Sequence, residues 1–510
     1  MYSPPGSTTK HHRSRGVSTR SLYIIVIALL MGILVTLWNV YQLRWLHEKH
    51  STGMPEAVSS NVKDSDKPVV WVHAKRMETG YLDHVLAVFN RIGYVRGGQE
   101  SDWDVLWAHD YPFTQLSMAI GNMKPHQKVN HFPGTGYVTN KVYLATSDIK
   151  YIPIAFQMPK QQAEFQKEVE RSPDRLWVQK SSSHRGIKVK STKELNLNAK
   201  DTFIQEYIQK PFLIDGRKFD LGLYVITTSV DPLRVYMVDD EMLVRFCPKD
   251  YYPTNFEDVD KYVVGDDYTP MWEMPSLKKW FVEGKYSFKE SLYAYFRSVG
   301  KDSGWVEDQI YEAVKGVFMN KQPQLKTALE KYPHKNVFFE MMRFDFVLDE
   351  DLNVYLMEVN MSPNLSSTHF TPNKYLYEHV IFNTLSVVGV ARSFPTSLKS
   401  VSNDAFIMAV SERDIQVKAD ECGSDLCKTC ENQDCKLCNK CLIPAQRELL
   451  KAAYLEHKNR ATTRRVYPEP MTQETAEAYD DSLDEELDEN DQLMRVWFRA
   501  KCIEDASWCR

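Results

Sequence analysis

No acidic residue occurs in the first twenty positions, no charged residue of either sign lies between Arg20 and Arg44, and no basic residue lies between Glu474 and Asp491. Over the whole chain, by contrast, charge nearly cancels: 63 Lys and Arg against 68 Asp and Glu leave a net charge of -5 on 510 residues. So small a surplus gives no ground for a nucleic-acid partner, and none is expected; the local blocks say more than their sum. Cysteine is as unevenly spread, with Cys247 the only one before Cys422 among nine. With 43% hydrophobic and 26% charged residues the chain is not disordered as a whole. Its length suffices for a large core and two or three domains.

The uncharged gap near the N-terminus runs almost unbroken through Ile, Val, Leu and Met from Leu22 to Trp38. Extended over 21–41, with Trp38 and Tyr41 as interfacial anchors, it is long enough for the roughly 20 residues that span a bilayer. No clear small-residue cleavage site follows, so an uncleaved anchor is expected; a buried core helix is the plainer alternative. The basic segment 1–20 then stays in the cytosol, and the rest lies on the far side in a type II arrangement. Residues 42–67 read as a polar linker to a folded region over 68–395.

Within that region the stretch FFEMMRFDFVLDEDLNVYLMEVN, residues 338–360, reads as two strands about an acidic turn. Alternation sets Asp345 opposite in face to Phe344 and Phe346, and leaves Glu358 and Asn360 together on one side. With a loop over 350–353, Asp349 pairs with Val354 and Asp345 falls directly across from Glu358. Carboxylates that close repel unless a cation lies between them, and an all-oxygen set of Asp345, Glu358 and Asn360 suits magnesium. A hairpin with a solvated polar face is the other reading.

Elsewhere short apolar strands such as VVWVH alternate with helix-like stretches, which gives an α+β layer architecture. In LWVQKSSSHRGIKVK, Lys180 ends a strand before a Ser-rich loop holding Arg185 and Gly186. That loop could close over phosphates or be an ordinary hairpin. In DGRKFDL, Arg217, Lys218 and Asp220 stand at the mouth of a long apolar strand, where they await a phosphate-bearing ligand or form an internal Lys218–Asp220 pair.

Taken together, NHFPG at 130–134, WVQK ending at Lys180, IQEYI at 204–208, DGRKFDL at 215–221, FDFVLDEDL and MEVNMSPNL at 357–365 resemble the tubulin-tyrosine-ligase-like family in order and spacing. The resemblance implies an ATP-grasp fold, and ATP-dependent amide formation between an amino acid, here glutamate, and carboxylates of tubulin or another acidic protein, through an acyl phosphate. It implies that Lys141, Lys180 and Lys218 contact phosphates, that Arg185 and Gly186 form the phosphate loop, and that Gln205, Glu206, Tyr207 and Ile208 form the strand edge that meets adenine. Asp220 would line the nucleotide site, and Asp345, Glu358 and Asn360 would bind Mg2+. Arg245 stands where a substrate-contacting arginine is expected. Lys218, Arg245, Thr254 and Asn255 are the expected catalytic set.

The chain departs from the family at Gly222, where an arginine is usual, and at Tyr252 to Asn255, where His-Leu-Thr-Asn is reduced to its last two residues. A segment over 257–277 has no family reading. These departures leave open a non-catalytic ATP-binding module, while the anchor and the clustered cysteines leave open the same chemistry on a lumenal protein.

The resemblance stops near residue 395. Over 396–445, Cys422, Cys427, Cys430, Cys435, Cys438 and Cys441 are spaced for zinc or for disulfides, with Cys502 and Cys509 completing an even set. The type II orientation favours disulfides and a lone Cys247. Residues 446–510 are expected to be helical, acidic and largely disordered; their ten acidic residues from Glu474 to Asp491 are also like an acceptor tail.

Overall fold

The computed structural model describes residues 31–39, 67–77, 80–181, 188–391, 408–432, 435–479 and 486–510. It divides into two compact units, Met1–Ser65 and Asp66–Arg510. In the first, residues 31–39 are helical and exposed. Among the described residues no helix is long and apolar enough to cross a membrane. The remainder of the expected span over 21–41, the basic segment 1–20 and nearly all of the linker lie outside the described residues.

The second unit is α+β and, among the described residues, holds three sheets. The first is parallel, in the order β2-β1-β3-β4, from β1 (Val69–His73), β2 (Val95–Gly97), β3 (Val105–Ala108) and β4 (Lys128–Val129). Apolar runs such as VLWA in β3, buried at every position, suit a parallel sheet covered on both faces. The second sheet is antiparallel, in the order β5-β8-β6-β7, from β5 (Ala155–Met158), β6 (Trp177–Ser181), β7 (Lys188–Lys190) and β8 (Thr202–Glu206). It has a small core of its own, with Trp177 packed edge-on against Phe156 and Phe165.

The third sheet is built on the long strand β9 (Phe219–Val230). Along one edge β9 pairs first with β11 (Leu243–Phe246) and further on with β10 (Leu233–Val238); β12 (Thr269–Pro270) extends β11. Along the other edge lies β13 (Glu340–Leu348), which carries β14 (Val354–Asn360). The helix Ser303–Leu329 buries Val306, Ile310, Val314 and Phe318 in the main core shared by the first and third sheets. Glu340, fully buried at the start of β13, accepts from His131 Nδ1 (2.6 Å), the Phe132 amide (2.9 Å) and Thr135 Oγ1 (2.6 Å), so the NHFPG loop fixes where β13 begins. Gly134 in that loop has φ +85°, and a Cβ there would lie 2.8 Å from Ala328 Cβ.

The C-terminal region corrects the expectation of a largely disordered tail. Residues 463–467 form β15 (Thr463–Tyr467), antiparallel to β10, so the tail supplies an edge strand of the third sheet. Covering β10 removes an open edge. The helices Pro444–Asn459 and Glu489–Glu504 pack around Leu450, Met494, Trp497 and Phe498. Acidic side chains there find distant cations: Asp491, 2% exposed, and Asp488 both accept from Lys326. Residues 480–485 of the acidic run lie outside the described residues. Four disulfides close this region, Cys422–Cys438, Cys427–Cys435, Cys430–Cys441 and Cys502–Cys509, and Cys247 is left free and buried.

Candidate active site

One face of the third sheet gathers the charged residues. On β9, a run rich in β-branched and aromatic residues, Asp220, Gly222 and Tyr224 share that face because side chains alternate. Register adds Arg245 across from Asp220, Asp345 across from Gly222, Arg343 across from Tyr224, and Glu358 and Asn360 across from Asp345 and Arg343. The Asp345–Glu358 pairing is the one expected, but two deviations produce it. The turn is longer than four residues, so Leu348 rather than Asp349 meets Val354, and a one-residue bulge at Met357 then restores the offset. Every residue of β13 is buried, so the sheet is covered there on both faces.

These groups form one chain of contacts. Arg245 is bidentate to Asp220 (2.9 and 2.8 Å) and reaches Asp345 Oδ2 (3.2 Å). Arg343 is bidentate to Asp345 (2.6 and 2.9 Å). The Asn360 amide donates to Asp345 (2.9 Å) and Glu358 (3.2 Å), and Lys141 Nζ donates to Glu358 (2.6 Å). Burial raises the Glu358 carboxyl, but the Lys141 ammonium, the Asn360 amide and the Arg343 guanidinium together outweigh it and hold the group at about 2.

The face opens into a cavity of about 180 Å³ roofed by the second sheet and lined by Lys141, Lys180, Glu206, Tyr207, Lys218, Asp220, Arg245, Asp345 and Glu358, with apolar walls that include Val178, Phe203 and Met357. Each carboxylate already has a cation: Asp220 has Arg245, Asp345 has Arg343, Glu358 has Lys141, and Glu206 has Arg175 at 3.1 Å. Two lysines are left over. Lys180 Nζ donates to the neutral Gln205 Oε1 (2.8 Å), and Lys218 Nζ lies 5.0 Å from the centre of the Tyr207 ring; neither is ion-paired among the described residues. Burial pushes Lys180 down to about 8 and lowers Lys218 as well. Surplus half-buried and buried cations beside paired carboxylates are what a polyanion carrying a divalent cation would satisfy, so ATP with Mg2+ fits the residues present. Asp345, Glu358 and Asn360 would hold the metal, and Lys180 and Lys218 the phosphates. Among the described residues no group of three or more His, Cys, Asp or Glu could hold a metal, and Asn360 turns its Nδ2 toward both carboxylates, so such a site needs the Asn360 amide turned over to present its oxygen, together with the ligand's own oxygens.

Other expected residues fall elsewhere. Gln205 is not at a strand edge: β8 is interior to its sheet, and only Glu206, Tyr207 and Ile208, where the chain leaves it, line the cavity. Thr254 and Asn255 are exposed and do not line it; Asn255 Oδ1 accepts from the Glu257 amide (3.0 Å). The loop is carried outward beyond the buried Tyr251, which hydrogen-bonds the Gln209 carbonyl and Tyr207. Lys218 and Asp220 do not pair, because Arg245 takes the carboxylate. Arg185 and Gly186 lie outside the described residues. The unread segment after 257 contributes Tyr262, Val263 and Val264 to the cavity wall. Arg343 was two residues from Asp345 in the same strand, and period-two alternation places it on the active face. It also occupies the space at Gly222, where the family pattern leads one to expect a guanidinium. Cys247 donates its amide to the Lys218 carbonyl (2.8 Å), and burial pushes its thiol up to about 12, so it is no nucleophile at neutral pH.

The Tubulin-tyrosine ligase family model matches residues 120–397 of the chain. The chain is 40% identical over 444 residues to "Probable tubulin polyglutamylase ttll-15" of Caenorhabditis elegans, covering 84% of each. It is 28% identical over 330 residues to "Tubulin polyglutamylase TTLL6" of Mus musculus, with 60% of this chain and 39% of that protein covered. Against "Tubulin monoglutamylase TTLL4" of Homo sapiens it is 28% identical over 312 residues, 58% of this chain and 26% of that protein. The chain thus spans well under half the length of these last two relatives.

Proposed function

This chain belongs to the tubulin-tyrosine ligase family, with an ATP-grasp-like α+β fold and a polyglutamylase-like ligase character, and from that membership we propose that it joins glutamate to side-chain carboxylates of tubulin. The observation that carries the reading is the pair of surplus lysines, Lys180 and Lys218, in a cavity beside Asp345 and Glu358. Bound there with magnesium, ATP would supply a phosphoryl group to an acceptor carboxylate with release of ADP, and the amine of glutamate would then displace inorganic phosphate and lose a proton to leave the amide. The chain's own part is positioning and charge. Lys180 and Lys218 offset the phosphate charge, and Arg245, clamped by Asp220 and Asp345, keeps a fixed guanidinium at the cavity wall. Glu358 stays ionised at any physiological pH because Lys141, Asn360 and Arg343 together offset its burial. No side-chain nucleophile is needed, in keeping with a protonated Cys247.

A second reading keeps the chemistry and changes the acceptor to a lumenal or extracellular protein. It is favoured by the four disulfides within the same compact unit as the site, since such bonds persist in oxidising compartments. A type II anchor over 21–41 would place the ligase there. Labelled glutamate transfer by the full chain to tubulin or to secreted acidic proteins, with ATP omitted as control, tests the activity. Protease digestion of sealed microsomes separates the readings: a protected C-terminus supports the lumenal acceptor, and a digested one supports tubulin. No ATP-dependent transfer to either acceptor would overturn both.

A further inference from the structure

Gly222 lies in the middle of β9, directly between Leu243 of β11 and Asp345 of β13. A strand interior is a poor place for glycine unless something must come close to the backbone. Its φ is not in the left-handed region, so the missing side chain answers to space and not to conformation. What fills that space is Arg343: a Cβ at Gly222 would meet Arg343 Cδ at 2.8 Å, Nε at 3.2 Å and Cγ at 3.3 Å. The stem of Arg343 therefore lies across β9 on the bare Gly222 backbone, and its guanidinium turns back onto Asp345.

The contact is more than packing. Asp345 Oδ1 accepts from Arg343 Nε (2.6 Å), while Oδ2 accepts from Arg343 Nη2 (2.9 Å), Arg245 Nη2 (3.2 Å) and Asn360 Nδ2 (2.9 Å). Among the described residues only Arg343 grips both oxygens, and so it sets the plane of the carboxylate. Buried ion pairs of this kind add little net stability, which leaves geometry as the reason to keep one. We propose that Arg343 is the positioning residue of this site: seated on Gly222, it fixes the plane of Asp345 beside Glu358 and holds a positive charge against that carboxylate, behind the cavity wall. Gly222 and Arg343 form one unit, in which the guanidinium comes from β13 and the room for it from β9. An arginine on β9 at 222 with glycine at 343 would present the same group to the same carboxylate, because Gly222 is its direct cross-strand neighbour.

The test uses the full chain and two readouts, the concentration of Mg-ATP giving half-maximal thermal stabilisation, which needs no turnover, and the split of glutamate transfer into kcat and KM for Mg-ATP. Gly222→Ala, which drives a methyl group into the Arg343 stem, and Arg343→Gln should each raise the half-saturating Mg-ATP by about tenfold and lower kcat by on the order of 10²-fold. Arg343→Lys, with charge but no fork, should recover the binding and not the turnover. The exchange G222R with R343G should return both readouts to within about tenfold of the parent, although G222R alone collides with Arg343 and R343G alone lacks the guanidinium. Parent-like binding and turnover in Arg343→Gln overturn the proposal. So does an exchange variant that unfolds at the parental urea midpoint yet does no better than R343G. The turnover arm rests on the ligase reading, and the two can fail separately. A parent that binds Mg-ATP but transfers nothing sinks the ligase reading, while the binding readout still decides the role of Arg343.

Discussion

Replacing Glu456 by alanine tests whether the C-terminal region is part of the ligase unit's fold. Glu456 sits on the helix Pro444–Asn459 and accepts from Arg234 Nε (2.8 Å) and Nη2 (3.0 Å), Thr228 Oγ1 (2.8 Å) and Tyr236 OH (3.2 Å). Arg234 is 2% exposed, so the substitution strands a guanidinium in the interior of the third sheet. Breaking a buried pair from one side costs about 3–5 kcal/mol. The nearby Asp491 carboxylate offsets part of that, which argues for the lower end. Set against a total stability of about 5–15 kcal/mol, a loss of about 3 kcal/mol is large. With a urea slope of about 3 kcal/mol/M, the unfolding midpoint should fall by about 1 M. Far-UV circular dichroism and tryptophan fluorescence on the full chain would follow it. Glu456→Gln, which keeps hydrogen bonds and loses charge, should fall less. Converting both partners, Arg234→Met with Glu456→Leu, should recover most of the loss. A midpoint unchanged in Glu456→Ala would refute the reasoning and detach the region from the sheet.

Other outcomes follow from the site. Glu358→Gln removes one hard anionic ligand and strands Lys141, so the Mg2+ needed for half-maximal stabilisation by ATP should rise at least about tenfold while the fold holds; an unchanged magnesium titration would remove Glu358 from the metal set. Nucleotide affinity, measured by calorimetry, should be flat below pH 8 and fall by up to about tenfold per unit above it. Lys180, pushed down to about 8, loses its proton there in the free protein and must regain one to meet the phosphates. Lys180→Gln should abolish that step, and its persistence would exclude Lys180 as the cause. Alkylation under trapping conditions should find eight cysteines blocked and Cys247 reactive only after unfolding; eight reactive thiols, with zinc released by a chelator, would overturn the disulfide pairing.

Strand alternation was enough to put Asp345, Glu358 and Asn360 on one side of a hairpin, because a period of two is a local property of the backbone. Lys141, Lys180 and Lys218 could be singled out from the family motifs in the sequence. What surrounds them could not. The turn and the Met357 bulge shift the register in opposite directions, and neither leaves a mark in the alternation. That Asp220 takes Arg245 and not Lys218 depends on which strand lies beside β9, a pairing across 25 residues. The acidic C-terminal run looks self-repelling in isolation. Lys326, more than 150 residues earlier, neutralises Asp488 and Asp491 only once the helices are packed, so charge that argues for disorder in the chain argues for order in the fold. The most consequential case is Gly222. Read along the chain it is an arginine lost, and read across the sheet it is the gap through which Arg343 reaches Asp345, because the space above a strand belongs to its neighbours and not to its own sequence.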